Sequence, residues 1–254
     1  MSRTAIVTGG LSGIGLEIAR VLMAEGFRVA IGARRGADPM QQDKARESLG
    51  EDVFIAPLDV RKKGSVAAFC MAVKNRLGAV GILVNSAGIE YKEPVASHNI
   101  DAWNDVIETN LTGPFLMSRQ VMPDMIEARW GRIVNIASTA AHTAKPDHAA
   151  YCASKAGLLG LTRATALEGA PHGVTCVSVS PTWVETDMLH GSAAKVADAE
   201  RRDVSDVIAE IANANPQNRL VQPSEIADLV AFLCSDAAPA LTLEDIQVNA
   251  GALW

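Results

Sequence analysis

Two side chains that could move a proton, Tyr151 and Lys155, stand four positions apart in this 254-residue chain. They fall near the start of a segment with helical periodicity, Ala150–Gly169, and residues four apart share one face of a helix. Because an ammonium group near a phenol stabilises the phenolate, we predict that the pKa of Tyr151 lies below its usual value of about 10. Tyr151 would then serve as a general acid or base near neutral pH.

A hydroxyl and an amide are further candidates for the same chemistry. Ser138 comes just after a strand-like run, Arg132–Ile136. Its hydroxyl could therefore hydrogen-bond a substrate oxygen on which negative charge develops. Asn110 lies inside a long segment with helical periodicity, Ala102–Ala128, where asparagine is mildly unfavourable. Taken alone, Asn110 is interpreted as a residue on an exposed helix face.

A glycine-rich turn near the N-terminus indicates a phosphate site. Thr8–Gly15 links a strand-like run to a helical segment, and such a turn brings backbone N–H groups close to a pyrophosphate. The second strand-like run, Arg28–Ile31, is soon followed by Arg34 and Arg35, and no acidic residue occurs before Asp38. An acid there would bind the 2′-hydroxyl of NAD, whereas arginine suits the 2′-phosphate of NADP. We therefore predict NADP(H) rather than NAD(H), with solvated surface arginines as the alternative.

Strand-like and helical segments alternate along the whole chain. This rhythm predicts an α/β fold with a doubly wound parallel sheet, the Rossmann fold, in a single domain over residues 1–254. Ligands of such sheets bind at the carboxyl ends of the strands. The predicted strands are Thr4–Val7, Arg28–Ile31, Val53–Ala56, Ile82–Asn85, Arg132–Ile136, Thr175–Val179 and Ile246–Val248. The predicted helices are Gly13–Ala24, Ser65–Leu77, Ala102–Ala128, Ala150–Gly169 and Ser224–Leu233.

The alternation breaks once, between Asp187 and Gln222. This segment has two helix-like pieces, Ala193–Arg202 and Val204–Ala214, but no strand-like run. It is too long for an ordinary connection, and it follows a strand end where ligands should bind. We interpret residues 187–222 as a helical lid over the substrate, with a surface decoration as the alternative.

Composition excludes several classes of protein. The formal net charge of -6 argues against a nucleic-acid-binding protein, since phosphate binding needs a basic surface. The four cysteines lack the spacing of a zinc site or a disulfide framework, which indicates reduced thiols in a cytoplasmic protein. No apolar run approaches the length of a membrane span, and we expect neither a membrane-spanning segment nor a signal peptide.

Together these motifs resemble the short-chain dehydrogenase/reductase family. The resemblance rests on Thr8–Gly15, Asn85–Gly88, Asn110, Ser138, Tyr151 with Lys155, and Pro181–Thr186. It covers nearly the whole chain, in the family's order and spacing. It implies a nicotinamide-dependent oxidoreductase that acts on an alcohol/carbonyl pair without a metal. It also implies a homotetramer, or else a dimer, assembled through the helices around 102–128 and 150–169.

The resemblance also assigns roles to residues. It implies a proton-relay tetrad in which Tyr151 exchanges the proton, Ser138 orients the substrate oxygen, Lys155 holds the nicotinamide ribose, and Asn110 keeps a water chain in place. Asp59 and Val60 would meet the adenine. With the arginines and the tetrad members, the predicted cofactor-binding residues are Gly9, Ser12, Gly13, Ile14, Gly15, Arg34, Arg35, Asp59, Val60, Asn85, Ala87, Gly88, Tyr151, Lys155, Pro181, Val184 and Thr186.

The sequence is less informative about the substrate. The run Pro181–Thr186 is similar to that of 3-hydroxybutyrate dehydrogenases, but Glu90, Ala140 and His148 stand where Gln, His and Lys would be expected. An added acid and a lost base should repel a small carboxylate. We therefore predict a small, neutral, polar hydroxy or keto compound such as a polyol, sugar or hydroxy ketone. The candidate substrate residues are Glu90, Ala140, His148 and Trp183, with Thr139, His142, Met188, His190 and Trp254 as further candidates.

Three alternative functions stay open at this stage. The first is a 3-oxoacyl reductase, and the second is a lyase or epimerase on the same fold. The third is a non-catalytic, dinucleotide-binding redox sensor, which would have no need of Tyr151 and Lys155 together. Fold alone does not separate them, because function resides in the site.

Overall fold

A computed structural model describes residues 3–252, and its centre is a seven-stranded, fully parallel sheet. The strand order is β3-β2-β1-β4-β5-β6-β7, so the chain reverses direction across the sheet between β1 and β4. A crevice forms at such a point, outside the carboxyl ends of the strands. The strands are β1 (Thr4–Thr8), β2 (Arg28–Ala33), β3 (Phe54–Pro57), β4 (Val80–Asn85), β5 (Gly131–Ile136), β6 (Val174–Pro181) and β7 (Asp245–Val248).

Helices cover both faces of the sheet, which confirms the predicted doubly wound fold. Successive residues of β1 point to opposite faces: Ala5 and Val7 belong to one buried apolar cluster, and Ile6 belongs to the other. Because both faces are buried, the strands are continuous apolar runs. The helices are α1 (Gly13–Ala24), α2 (Pro39–Leu49), α3 (Lys63–Leu77), α4 (Ile100–Ile107), α5 (Gly113–Ala128), α6 (Ala149–Gly169), α7 (Asp187–Glu200), α8 (Val204–Asn213) and α9 (Pro223–Cys234).

Helix α2 is the main element that the sequence analysis missed. It buries only Ala45 and Leu49, so it has almost no apolar periodicity to detect. Local signals instead fix its start, since the carboxylate of Asp38 caps it by accepting from the N–H of Met40, and Pro39 occupies its first position.

The helix predicted over 102–128 is wrong as one continuous element. The chain forms α4, then a π-helical turn over Glu108–Thr112, and then α5. A π turn inserts an extra residue into the helix and redirects the side chains within it. Here Asn110 is fully buried rather than on an exposed face.

Residues 187–222 contain α7 and α8, so the predicted helical pieces are present with shifted bounds. Thr186 caps α7, and its hydroxyl accepts a hydrogen bond from the N–H of Leu189. The two helices pack on each other through Ala193, Ala197 and Val207. The start of α7 is therefore tied directly to the end of the loop that follows β6.

Two further searches of the described residues concern membranes and metals. No helix within residues 3–252 is long and apolar enough to cross a membrane. Within the same residues, no group of three or more His, Cys, Asp or Glu side chains is arranged to hold a metal ion.

Candidate functional site

A cavity of about 480 Å³ opens at the carboxyl ends of the strands, around the crevice between β1 and β4. It brings together most of the residues that the sequence analysis singled out, although these lie far apart in the chain. Of the predicted catalytic and cofactor residues, those lining it are Gly9, Ser12, Gly13, Ile14, Gly15, Arg34, Arg35, Asp59, Val60, Ala87, Gly88, Ser138, Tyr151, Lys155, Pro181, Val184 and Thr186.

The glycine-rich turn packs directly against the end of β4. Gly9 has φ +70°, and a Cβ placed on it would lie 2.8 Å from the Cα of Ala87. Thr8 fixes this contact, because its hydroxyl accepts hydrogen bonds from the N–H groups of Ser86 and Ala87, both at 3.1 Å. The side chain of Ser12 makes no capping bond to α1. The first N–H groups of α1 therefore face the cavity without a side-chain cap, an arrangement that suits a pyrophosphate.

The two arginines after β2 differ in their surroundings. Arg35 donates to Asp38 at 3.1 Å, whereas Arg34 is exposed at the cavity and forms no ion pair within the described part of the chain. Asp59 is held by Arg61 through two side-chain hydrogen bonds of 3.0 and 2.9 Å, and this pairing lowers the pKa of the carboxyl group. Among the described residues, the guanidinium of Arg34 at the end of β2 thus has no carboxylate partner, and the 2′-phosphate of NADP could bind there.

The predicted proton-transfer residues meet at the end of β5. Tyr151 and Ser138 both line the cavity, and the Ser138 hydroxyl lies near enough to the Tyr151 phenol to lower its pKa. Ser138 is fixed further by the N–H of Ala140, which donates to its Oγ at 3.1 Å. Lys155 is buried, its Nζ donates to the carbonyl of Ile136 at 2.7 Å, and it lies 5.6 Å from the centre of the Tyr151 ring. The three side chains therefore lie together at one end of the cavity, where backbone groups hold Ser138 and Lys155.

The prediction of a lowered tyrosine pKa is wrong for this arrangement. Burial raises the pKa of Tyr151 to about 12, although its hydrogen bond to Ser138 acts in the opposite direction. Burial also lowers the pKa of Lys155 to about 8, because a charged ammonium is costly away from water. Burial therefore favours the protonated phenol of Tyr151 and the neutral amine of Lys155.

Two of the predicted catalytic and cofactor-binding residues do not line the cavity, Asn110 and Asn85. Asn110 binds the segment beside it: its Oδ1 accepts from the N–H of Ile89, and its Nδ2 donates to the Ile89 carbonyl, both at 2.9 Å. Its Nδ2 also donates to Ser154 Oγ at 3.1 Å. Asn85 is buried and donates to Asn135 at 2.8 Å, which joins β4 to β5. Both amides hold the walls of the site rather than facing its contents.

The substrate end of the cavity holds more charge than the sequence analysis counted. Glu90 Oε1 lies 3.3 Å from Lys92 Nζ and 3.4 Å from His148 Nε2. Lys145 lines the cavity, and its Nζ lies 4.6 Å from the centre of the Trp183 ring. The argument for a neutral substrate took Glu90 as an uncompensated acid, and that premise is wrong because basic groups from two loops surround it.

Comparisons with known proteins agree with this geometry. The model of the short chain dehydrogenase family matches residues 3–197. A putative ketoacyl reductase of Streptomyces coelicolor is 39% identical over 252 residues, which cover 98% of this chain and 97% of that protein. The chain belongs to the short-chain dehydrogenase family. A D-beta-hydroxybutyrate dehydrogenase of Cupriavidus necator is also 34% identical over 253 residues, covering 99% of this chain and 95% of that protein.

A solved structure gives the same result for the fold. A variant of actinorhodin polyketide ketoreductase with NADPH matches with a TM-score of 0.93 and 40% identity, covering 99% of this chain and 97% of that one. This short-chain dehydrogenase is thus an oxidoreductase that acts on alcohol/keto pairs with a nicotinamide dinucleotide. The residues described above fit that cofactor, since the open start of α1 and the close-packed glycine turn suit a pyrophosphate.

The remaining substrate candidates of the dehydrogenase divide into two groups. Glu90, Ala140, His148 and Trp183 line the cavity, as do Thr139 and Met188. His142 and His190 do not: His142 contacts Asp245 at 2.6 Å, and His190 lies 4.0 Å from Glu185. Trp254 lies outside the described residues.

Several residues of the cavity wall were missed by sequence reasoning. Two of them, Lys145 and Cys152, lie on either side of Tyr151 in the sequence. Lys145 carried a detectable signal, since it falls in the loop between Ser138 and Tyr151 that must border the site. Lys92 does not line the cavity itself, and only the folded chain brings its Nζ to 6.0 Å from the centre of the Trp183 ring.

Proposed function

We propose that this enzyme is an NADPH-dependent reductase that converts a small polar keto compound into the corresponding alcohol. The observation that carries the proposal is the meeting of Tyr151, Ser138 and Lys155 at the end of a cavity that begins at the glycine turn. Bound NADPH would supply the hydride. Tyr151 would donate its proton to the carbonyl oxygen, which Ser138 would orient, and the resulting phenolate would regain a proton from solvent.

The preference for NADPH is supported by Arg34. Its guanidinium is exposed at the cavity and lacks a carboxylate partner within residues 3–252, so it could bind a 2′-phosphate without breaking an ion pair. Arg35 would contribute less, because it already pairs with Asp38. That a similar ketoreductase was solved with NADPH also favours this choice.

A polar substrate is supported by Glu90. Its Oε1 is buried and has no hydrogen bond of normal geometry within the described residues, despite the two nitrogens nearby. A buried carboxylate oxygen without a donor is costly, and a substrate hydroxyl could satisfy it. This keeps hydroxy and keto compounds, including polyols and sugars, as the substrate class. A 3-oxoacyl substrate is the second candidate, favoured by relatives named ketoacyl reductases.

Three further features belong to this proposal. Residues 187–222 would act as a lid, since Asp187, Met188, Leu189 and Ser192 at the start of α7 line the cavity. The enzyme would form a homotetramer or dimer through α5 and α6, whose Phe115 and Leu167 are exposed apolar side chains; light scattering would test this. The cytoplasmic location is a further prediction, which cell fractionation would test.

The first experiment measures cofactor binding and turnover together. NADPH and NADH are titrated separately while nicotinamide fluorescence is followed, and NADPH consumption is then measured with 2,3-butanedione, a neutral carbonyl probe. We expect tighter binding of NADPH, and an Arg34→Ala variant that loses about 10- to 100-fold in NADPH affinity without a change for NADH. The matched Arg35→Ala variant should lose less. The proposed function is wrong if neither nucleotide binds, or if the enzyme consumes no NADPH with any carbonyl compound tested.

A further inference from the structure

Asp245, at the start of the edge strand β7, joins the end of β6 to a turn that borders the cavity. Its Oδ2 lies 2.6 Å from Nε2 of His142, and its Oδ1 accepts a hydrogen bond from Oγ of Ser180 at 2.7 Å. Because an ionised carboxylate can only accept, the contact with His142 places a proton on Nε2. The Asp245 side chain is 8% exposed, and burying a carboxylate is costly unless hydrogen bonds satisfy its oxygens. Both oxygens of Asp245 are satisfied in this way.

His142 ends the short turn that holds Ser138. The turn is a piece of 3-10 helix, Thr139–Ala141, and the Ser138 hydroxyl caps it by accepting from the N–H of Ala140 at 3.1 Å. The backbone N–H of His142 closes the turn by donating to the Thr139 carbonyl at 2.9 Å. The ring of His142 therefore fastens to the edge strand the same turn whose backbone holds the Ser138 hydroxyl.

Ser180 gives the carboxylate a fixed base. It is fully buried in β6, immediately before Pro181, which lines the cavity. Its neighbour Val179 belongs to the apolar cluster on one face of the sheet, and Ile246 packs against that cluster. Since successive side chains of a strand alternate between faces, Ser180 and Asp245 point to the other face, which α6 covers. The carboxylate is thus on the same side of the sheet as the helix that carries the predicted proton-transfer residues.

From this arrangement we infer that Asp245 is a positioning residue of the reductase, which holds Ser138 in place through the ring of His142. The inference rests on the proposed reductase function and adds to it a residue outside the cavity. Asp245, His142 and Ser180 do not line the cavity, so their effect on turnover passes through the turn that they hold. That effect is large because a misplacement of about 1 Å at a reacting group costs about 10²-fold in rate.

The experiment is a double-mutant cycle between Asp245 and Ser138. NADPH consumption with 2,3-butanedione gives kcat and KM for the native enzyme, for Asp245→Ala, for Ser138→Ala and for the double variant. Nicotinamide fluorescence gives the NADPH affinity of each, and urea unfolding gives its stability. His142→Ala is a second test that the fold tolerates better, because the His142 side chain is 34% exposed. Glu244→Ala is the matched control, since Glu244 is the adjacent acid and is exposed.

We expect Asp245→Ala to lower kcat by about 10- to 100-fold, with KM and NADPH affinity within about threefold of the native values. Ser138→Ala should lower kcat by about 10²- to 10³-fold. Because Asp245 acts through Ser138, adding Asp245→Ala to Ser138→Ala should lower kcat by less than about threefold further. His142→Ala should follow Asp245→Ala, and Glu244→Ala should keep the native kcat.

Other outcomes would overturn the inference in distinguishable ways. If Asp245→Ala and His142→Ala keep the native kcat, or if the effects of Asp245→Ala and Ser138→Ala multiply in the double variant, Asp245 does not act through Ser138 while the reductase function stands. Parallel losses of stability and NADPH affinity would show that the acid acts only on folding or on protection of the sheet edge. If the native enzyme consumes no NADPH with any carbonyl compound tested, the proposed function fails, and the inference fails with it.

Discussion

Replacing Asn110 with alanine tests whether its side chain acts by holding the cavity wall. The change removes three hydrogen bonds: two to the backbone of Ile89, at 2.9 Å each, and one to Ser154, at 3.1 Å. A net contribution of about 1 kcal/mol for each bond gives about 3 kcal/mol. Ser154 keeps its donation to the Tyr151 carbonyl, and water could reach Ile89 from the cavity, so we expect a loss of about 2–4 kcal/mol.

The assay is urea unfolding followed by circular dichroism, together with kcat for the best carbonyl substrate. Asn104→Ala is the matched control, because Asn104 is exposed on α4 and its loss should change the free energy of unfolding by less than about 0.5 kcal/mol. We expect kcat to fall in Asn110→Ala as the Ile89 segment shifts. A variant that loses activity but less than about 1 kcal/mol of stability would refute this reasoning, and would indicate a role in a water chain instead.

Three further predictions concern the glycine turn and the titrating pair. Gly9→Ala should lower the free energy of unfolding by about 2–3 kcal/mol and weaken NADPH binding, because its Cβ would meet Ala87. Gly26→Ala is the control, because Gly26 also has a positive φ (+82°) but a Cβ there would meet no atom within 4 Å. That change should lower the free energy of unfolding by about 1–2 kcal/mol and leave binding unchanged. Since the pKa of Lys155 falls from 10.5 to about 8 on folding, the unfolded chain binds more protons between these values. The free energy of unfolding of the native protein, measured by urea titration relative to that of Lys155→Met, should therefore rise by up to about 3 kcal/mol between pH 8 and 10.5. A difference between the two proteins that does not change with pH would contradict the burial argument. Tyr151→Phe should lower kcat by about 10²- to 10⁴-fold without loss of NADPH binding in fluorescence titrations, and a smaller effect would exclude Tyr151 as the acid.

The fold could be predicted because most of its elements bury apolar side chains in a regular pattern. All seven strands were found within a few residues of their observed bounds, and α1 was found with its observed bounds. The errors occur where that pattern fails. Helix α2 buries two residues only, and the π turn at Glu108–Thr112 breaks the period inside an otherwise helical segment. Local propensity does not predict such a turn, because the hydrogen bonds that stabilise it join Asn110 to Ile89, which is distant in the sequence.

The grouping of Tyr151, Ser138 and Lys155 was predictable for a different reason. Tyr151 and Lys155 are four residues apart in one helix, and Ser138 follows the end of a strand, where the ligands of a parallel sheet bind. Their pKa values were not predictable, because burial decides them and burial is a property of the folded chain. The expected effect of Lys155 on the phenol was a pairwise argument, whereas desolvation is the largest influence on the pKa of Tyr151.

The substrate end shows the same limit more sharply, since its character depends on charges that meet only after folding. In the sequence, Glu90 is an acid at a position where a related dehydrogenase would have an amide, and by itself it argues against an acidic substrate. In the structure, Lys92 neutralises it, His148 faces it, and Lys145 arrives from another loop. Basic groups therefore face a carboxylate that stands alone in the sequence. The charge that a substrate meets is a property of the assembled loops around Trp183, and only the folded chain shows it.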